Sequence, residues 1–225
     1  MYFDSSFIIL IPALIIAAWA QFKVSSTFEK YSKVGSSGGY TGAQVARILL
    51  DSYGLYDIPV ELTPGRLSDH YDPTRRVMRL SEEVYYGNSV ASIGVAAHET
   101  GHAIQHKERY APLVIRNSIV PVANFGSNAS WILFLLGMVF GLKGLVSIGI
   151  LLFTAAVVFQ IITLPVEFNA SNRALKILES KGILYGSELG GAKSVLSAAA
   201  MTYVAAALTA VAQLLRLIFI SRSDD

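Results

Sequence analysis

GLVSIGILLFTAAVVFQIITLPV, residues 144–166, runs for 23 residues without a charge, and Glu167 follows it directly. As a helix it exceeds the roughly 20 apolar residues that cross a hydrocarbon layer about 30 Å thick. Three other gaps between charges are of the same order. Asp4 and Lys23 are separated by 18 residues built around FIILIPALIIAAWA, Arg116 and Lys143 by 26, and Lys193 and Arg216 by 22. The second gap is the least uniform: NSIVPVANFGSNAS is polar and only WILFLLGMVF is strongly apolar, so the start of that span is open. Gly141, Lys143 and Gly144 supply a tight turn between the second and third spans, and Trp19 and Trp131 fall near span ends, as interfacial aromatics do.

Composition agrees with a membrane protein. Of 225 residues, 53% are apolar and 15% charged, against roughly 25% charged in an average soluble domain. Mean hydropathy is +0.49. So few charges could not cover a soluble globule of this size, and so apolar a chain is not disordered. A net charge of +2, with no basic stripe interleaved with aromatics, gives no basis for nucleic-acid binding. The absence of cysteine excludes disulfides, thiolate metal sites and thiol nucleophiles. The first span has no basic segment before it and no clean small-residue cleavage site, so it is expected to stay as an anchor. The fourth, SVLSAAAMTYVAAALTAVAQLL, could instead be an Ala-rich core helix, but a soluble core able to bury it is missing.

Basic residues set the expected orientation. Lys23, Lys30, Lys33, Lys107, Arg109 and Arg116 flank the first long connection, and Arg173, Lys176, Lys181 and Lys193 lie in the second. Lys143, Arg216 and Arg222 are on the other side, and ten against three favours both connections in the cytoplasm, with the termini outside. The connection from 21 to 116 holds 21 of the 34 charges and has globular patterning. Gly35 to Gly39 read as a flexible link. Thr41 caps a helix over GAQVARILLDSY, ended by Gly54. IPVEL and RRVMRLS are β-like runs separated by GRLSDHYDPT, whose Gly65, Asp72 and Pro73 are turn chemistry. A further helix is expected from about Ser89 to Lys107.

Within that helix lies VAAHETGHAIQH, residues 95–106. His98 and His102 stand four apart, so one turn stacks their imidazoles on one face, as two ligands of one tetrahedral Zn²⁺ require. Glu99 is placed to reach water at such an ion without being a ligand. With 4 His and 9 Glu in the chain, chance gives about 0.003 such HExxH matches. A catalytic zinc needs a third protein ligand. The metzincin position for it is Glu108, which excludes that subclass. His106 continues the row, but three ligands on one straight helix spread along its axis at about 6 Å per step and cannot converge. His70 reads as a turn or cleft residue. Among the carboxylates Glu167 stands out, just past Pro165 at the start of a new helix on the same cytoplasmic side. It is equally readable as a glutamate favoured by the helix dipole. Ser171, one turn on, could hydrogen-bond a ligand histidine and fix its orientation. The Asn-x-Ser sequons at Asn128 and Asn169 read as coincidental.

The runs ARILLDSYGLYDIPVEL, GRLSDHYDPTRRVMRLSEEVY, VAAHETGHAIQH and LPVEFNASNRAL together resemble the YugP-type bacterial membrane zinc metallopeptidases. Those are similar in turn to HtpX-type and CAAX-prenyl-protease-type gluzincins, which pair HExxH with a downstream Glu in an ExxxD motif. The resemblance gives Glu167 the third-ligand role. Here the motif reads EFNAS, with Ser171 in place of the Asp, a weaker acceptor. The implied fold is a mainly α integral membrane protein with about four transmembrane helices and a small α+β zincin-like cytoplasmic catalytic domain. Its parts would be an N-terminal transmembrane helix (1–22), the catalytic domain (23–116), a transmembrane hairpin (117–166), a cytoplasmic segment carrying the third ligand (167–193), and a C-terminal transmembrane helix and tail (194–225).

The expected chemistry is peptide-bond hydrolysis with one Zn²⁺ per chain on His98, His102 and Glu167. Glu99 would take a proton from the attacking water and pass it to the leaving amine. Arg173 and Tyr203 are candidates for stabilising the oxyanion. A peptide could add as a strand along Arg76, Val77, Met78 and Arg79, within 75–80, though an ordinary structural hairpin explains that run equally well. Expected partners are a protein or peptide substrate and the lipid bilayer of the bacterial cytoplasmic membrane. Nothing in the sequence sets an oligomeric state. A site-2-type intramembrane protease is disfavoured because a polar, turn-rich segment precedes HETGH. A non-catalytic zinc protein would want a fourth protein ligand, and a transporter would want a ligand at mid-span.

Overall fold

The computed structural model describes residues 5–223; Asp4, which bounds the first apolar gap, and the last two residues of the tail lie outside them. A 3-10 turn, Ser5–Ile9, precedes α1 (Ile11–Ser32) and α2 (Gly42–Ser52). Strands β1 (Val60–Thr63), β2 (His70–Asp72) and β3 (Val77–Ser81) follow, then α3 (Glu82–Tyr85), α4 (Val90–Lys107), α5 (Ala111–Phe140), α6 (Lys143–Ser180) and α7 (Gly186–Ser223). Four helical stretches, Ser6–Ser32, Ala111–Phe140, Lys143–Ser180 and Gly186–Arg222, are long and apolar enough to cross a membrane. The expected helical membrane protein with a small sheet is what the chain forms.

The chain divides into two compact units. The first takes the described parts of Met1–Gln21, Ala111–Pro165 and Thr202–Asp225. Its α5–α6 hairpin closes on small residues: a Cβ at Gly149 would lie 2.9 Å from the Ser130 carbonyl, and one at Gly126 3.0 Å from that of Leu152. Such close backbone approach is how helices associate where lipid gives no hydrophobic drive. Phe134, Val146, Phe153, Val157 and Leu217 form the core of this unit. Arg216 donates to Ser6 Oγ at 3.0 Å and lies over the Phe7 ring.

The second unit takes Phe22–Tyr110 and Val166–Met201. α4 is its axis, with Val90, Ala91, Ile93, Ala96, Ala97 and Ile104 fully buried, and its first two turns, VASIGVAA, are almost wholly apolar. Val45, Leu49 and Leu50 from α2, Met78 and Leu80 from β3, and Leu178 and Leu184 complete the core. Ser89 caps α4 by accepting from the Ser92 N–H, and Thr41 caps α2 in a box with Gln44. Gly54, at φ 65, ends the α2 segment as the sequence implied.

Three expectations change. GRLSDHYDPT is not only turn: His70–Asp72 form β2, which pairs antiparallel to β3. The Gly/Ser link is pinned, because Ser36 donates to the Asn88 carbonyl and the Val90 N–H to the Val34 carbonyl. Glu167 does not begin a new helix. α6 continues through Pro165, across an interior position where proline removes a donor and crowds the carbonyl four residues back. The boundary between the two units therefore falls inside α6, as it does inside α1 and α7.

Candidate metal centre

His98 and His102 project from adjacent turns of α4, and Glu167 faces them from α6. His98 Nε2 and His102 Nε2 are 3.2 Å apart. Glu167 Oε2 lies 3.3 Å from the first and 3.4 Å from the second. The side chains are 12%, 13% and 4% exposed respectively. Zinc holds nitrogen and oxygen at about 2.1 Å in tetrahedral sites, which sets two donors about 3.4 Å apart. The triangle of three donor atoms has the edge length of that tetrahedron, so the donor set fits Zn²⁺ in kind, spacing and burial. The close approach is made by Gly101: a Cβ there would stand 2.7 Å from the Ala170 carbonyl of α6.

Both histidines are held through their other nitrogen. Ser171 Oγ is 3.1 Å from His98 Nδ1, and Gln105 Oε1 is 3.1 Å from His102 Nδ1. Gln105 Oε1 can only accept, so a neutral His102 carries its proton on Nδ1 and turns its Nε2 lone pair to the shared point, and Ser171 holds the His98 ring in place. Burial favours neutral His102, but its hydrogen bond and attraction to Glu167 outweigh this and hold its pKa above the ordinary value.

Glu99, 8% exposed, is not one of the three donors: its Oε2 accepts from the Tyr71 N–H of β2 at 3.0 Å. The carboxylate thus sits between the histidine pair of its own helix and the outer edge of the sheet. Tyr71 also holds His106, Oη to Nδ1 at 2.9 Å. Burial and the nearby Arg76 charge push the His106 pKa down, and burial pushes that of Tyr71 up. His106 lies outside the group of three donors and buttresses β2. His70 is an exposed strand residue whose Nδ1 meets the Ser68 carbonyl.

One candidate role is corrected, and the two oxyanion candidates are placed. The sheet order is β1-β3-β2, so β3 is the middle strand. Met78 pairs with Val60 and Tyr71, and Arg79 with Glu61 and His70; Val77 pairs with Asp72, and Arg76 lies in the preceding turn at φ 53. A strand whose two edges are paired cannot receive a peptide, so the Arg76 to Arg79 run is structural. Arg173 is also committed elsewhere: its Nε donates to Asn169 Oδ1 at 2.7 Å and its Nη1 to Glu108 Oε2 at 2.6 Å. Tyr203 belongs to the first unit, on α7.

Sequence reasoning missed Gln105 and Asn169. Gln105 is fully buried and Asn169 accepts from its amide at 2.9 Å. The signal was there: a polar Gln at the third place after His102, in a helix whose neighbours are Ala103 and Ile104.

Comparison with known proteins agrees with this geometry. A family model described as "Putative neutral zinc metallopeptidase" matches residues 6–222. The chain is 59% identical, over 96% of its own length and 96% of the other, to "Putative membrane protease YugP" of Bacillus subtilis (strain 168). No solved structure matches.

Proposed function

From the premise that this chain belongs to the neutral zinc metallopeptidase family, we propose that it is a membrane-anchored, gluzincin-type zinc endopeptidase. It would cleave membrane-associated or unfolded proteins at the cytoplasmic face of a bacterial membrane. The observation that carries this is the triangle of His98 Nε2, His102 Nε2 and Glu167 Oε2, at 3.2 to 3.4 Å, with a carboxylate beside it that is not part of it.

His98, His102 and Glu167 would hold one Zn²⁺ per chain, leaving the fourth place that catalytic zinc sites keep for water or substrate. When bound, the ion supplies Lewis acidity, which activates water and polarises a carbonyl. Glu99 is the general base: its buried carboxylate accepts the proton of the attacking water and returns it to the leaving amine. Ser171 and Gln105 keep the two imidazoles aimed. The substrate backbone is better placed along the outer edge of β2 than along β3, because β2 ends the sheet and its Tyr71 N–H already meets Glu99. Main-chain pairing there would be tolerant of sequence.

The substrate class rests on continuity of α6. Its uncharged stretch ends at Val166 and the next residue is Glu167, so the proposed ligand directly follows the uncharged part of a candidate span. That favours chains at or near the bilayer surface. The lysine and arginine count favours the cytoplasmic side.

The test is Glu99→Gln. The variant should keep zinc at the parent stoichiometry and lose at least about a hundredfold in casein cleavage, the scale of a lost general base. Turnover within a few-fold of parent would reject the assignment.

A further inference from the structure

Gln105 makes three hydrogen bonds, and none is to its own helix backbone. Its Oε1 faces His102 Nδ1 at 3.1 Å, and its Nε2 donates to the Val166 carbonyl and to Asn169 Oδ1, both at 2.9 Å. The side chain is fully buried, as its chain neighbours Ala103 and Ile104 are. A buried amide is costly unless its polar atoms are satisfied, so its place in this core calls for a reason. The three partners give one. His102 is a proposed ligand, Val166 is the residue before another, and Asn169 stands two beyond that.

The orientation of the amide follows from its partners. A backbone carbonyl can only accept, so the NH₂ group must face Val166. Oε1 is then left for His102, and an amide oxygen can only accept. The proton of the neutral His102 ring is thereby placed on Nδ1, and Nε2 keeps its lone pair toward His98 and Glu167. Ser171 cannot impose the same choice on His98, because a hydroxyl donates or accepts. Asn169 is itself oriented, since its Oδ1 also receives Arg173 Nε, whose Nη1 reaches Glu108 just past the end of α4. From Glu108 through Arg173, Asn169 and Gln105 to His102, the contacts run between α4 and α6 and back.

We infer that Gln105 is the positioning residue of the metal centre. One side chain sets the tautomer of a ligand on α4 and the register of the helix that brings Glu167. Asn169 and Arg173 form the brace that keeps its amide from turning over. The assignment rests on reading the triangle as a metal site, but it can fail separately.

The experiment is a zinc titration of full-length, detergent-solubilised protein against a chromophoric chelator, with far-ultraviolet circular dichroism as the control on folding. Gln105→Leu keeps shape and removes all three hydrogen bonds; it should bind zinc about 10–100-fold more weakly at unchanged helix content. Gln105→Glu returns an acceptor to His102 Nδ1 without donors to α6, and should recover part of the loss. Parent-like affinity in Gln105→Leu would overturn the assignment, as would a Glu variant no better than the Leu variant. If Gln105→Leu does not fold, Asn169→Ala replaces it, with weaker zinc binding expected and parent-like affinity overturning the brace and its positioning role. A parent chain that takes up no zinc would remove the metal centre itself, which a change confined to the variants would not.

Discussion

Glu167 is the one member of the triangle that comes from another helix, α6 rather than α4. Its Oε2 is within 3.4 Å of both Nε2 atoms, so Glu167→Ala removes the third donor and leaves the two Nε2 atoms facing each other. Metal analysis after gel filtration should find the variant depleted of zinc by at least about tenfold relative to parent, on the scale by which even outer contacts to ligands change affinity. Full zinc content in that variant would strike Glu167 from the ligand set. His98, Glu99 and His102 were legible in the sequence because helical spacing alone decides where they point. Gln105 was legible only as a polar residue out of place among apolar neighbours; its role was not, since that depends on a carbonyl 61 residues away. Ser171 was legible as a hydroxyl one turn past Glu167, and it does meet His98.

At the scale of elements, the question is how α4 and α6 come near enough for their side chains to share one point. Gly101 answers it. Replacing it with alanine should gain roughly 1 kcal/mol of helix propensity but force a Cβ to within 2.7 Å of the Ala170 carbonyl. That oxygen is backbone, not the end of a mobile side chain, so relief requires moving α6. Overpacking of this kind costs about 1–3 kcal/mol, which outweighs the gain. Gly101→Ala should therefore lower the unfolding midpoint and the zinc affinity together. Gly94, on the same helix, is the control: its Cβ would meet Ala192 Cβ at 3.4 Å, ordinary contact, and Gly94→Ala should keep both. A Gly101→Ala protein with parent stability and parent zinc affinity would contradict this. Caps and periodicity made α2 and α4 readable, because Thr41 and Ser89 act locally. β2 was not readable: three residues have no pattern of their own, and pairing with Val77, Met78 and Arg79 makes them a strand. The same pairing turned the β3 run from an open edge into a centre. Pro165 misled in the opposite sense: proline often ends a helix, but here α6 runs through it.

For the whole molecule, the four long apolar helices follow from composition, but which side of the membrane the centre faces follows only from charge. Ten Lys and Arg flank the two connections that carry the site, against three on the other side, and each basic residue near a span end favours the cytoplasm. The chain has no cysteine, so single-cysteine variants can be read without background. Tyr56 is 75% exposed and Ser187 is exposed near the start of α7; one lies in each connection. Gly144, at the turn between α5 and α6, has nothing within 4 Å of an added Cβ, so a thiol fits there without strain. In intact cells, an impermeant maleimide should label Gly144→Cys and leave Tyr56→Cys and Ser187→Cys unlabelled. After permeabilisation all three should react. Labelling of Tyr56→Cys or Ser187→Cys in sealed cells would put the centre outside. The substrates would then be exported chains, while the chemistry of Glu99 and its neighbours would stand.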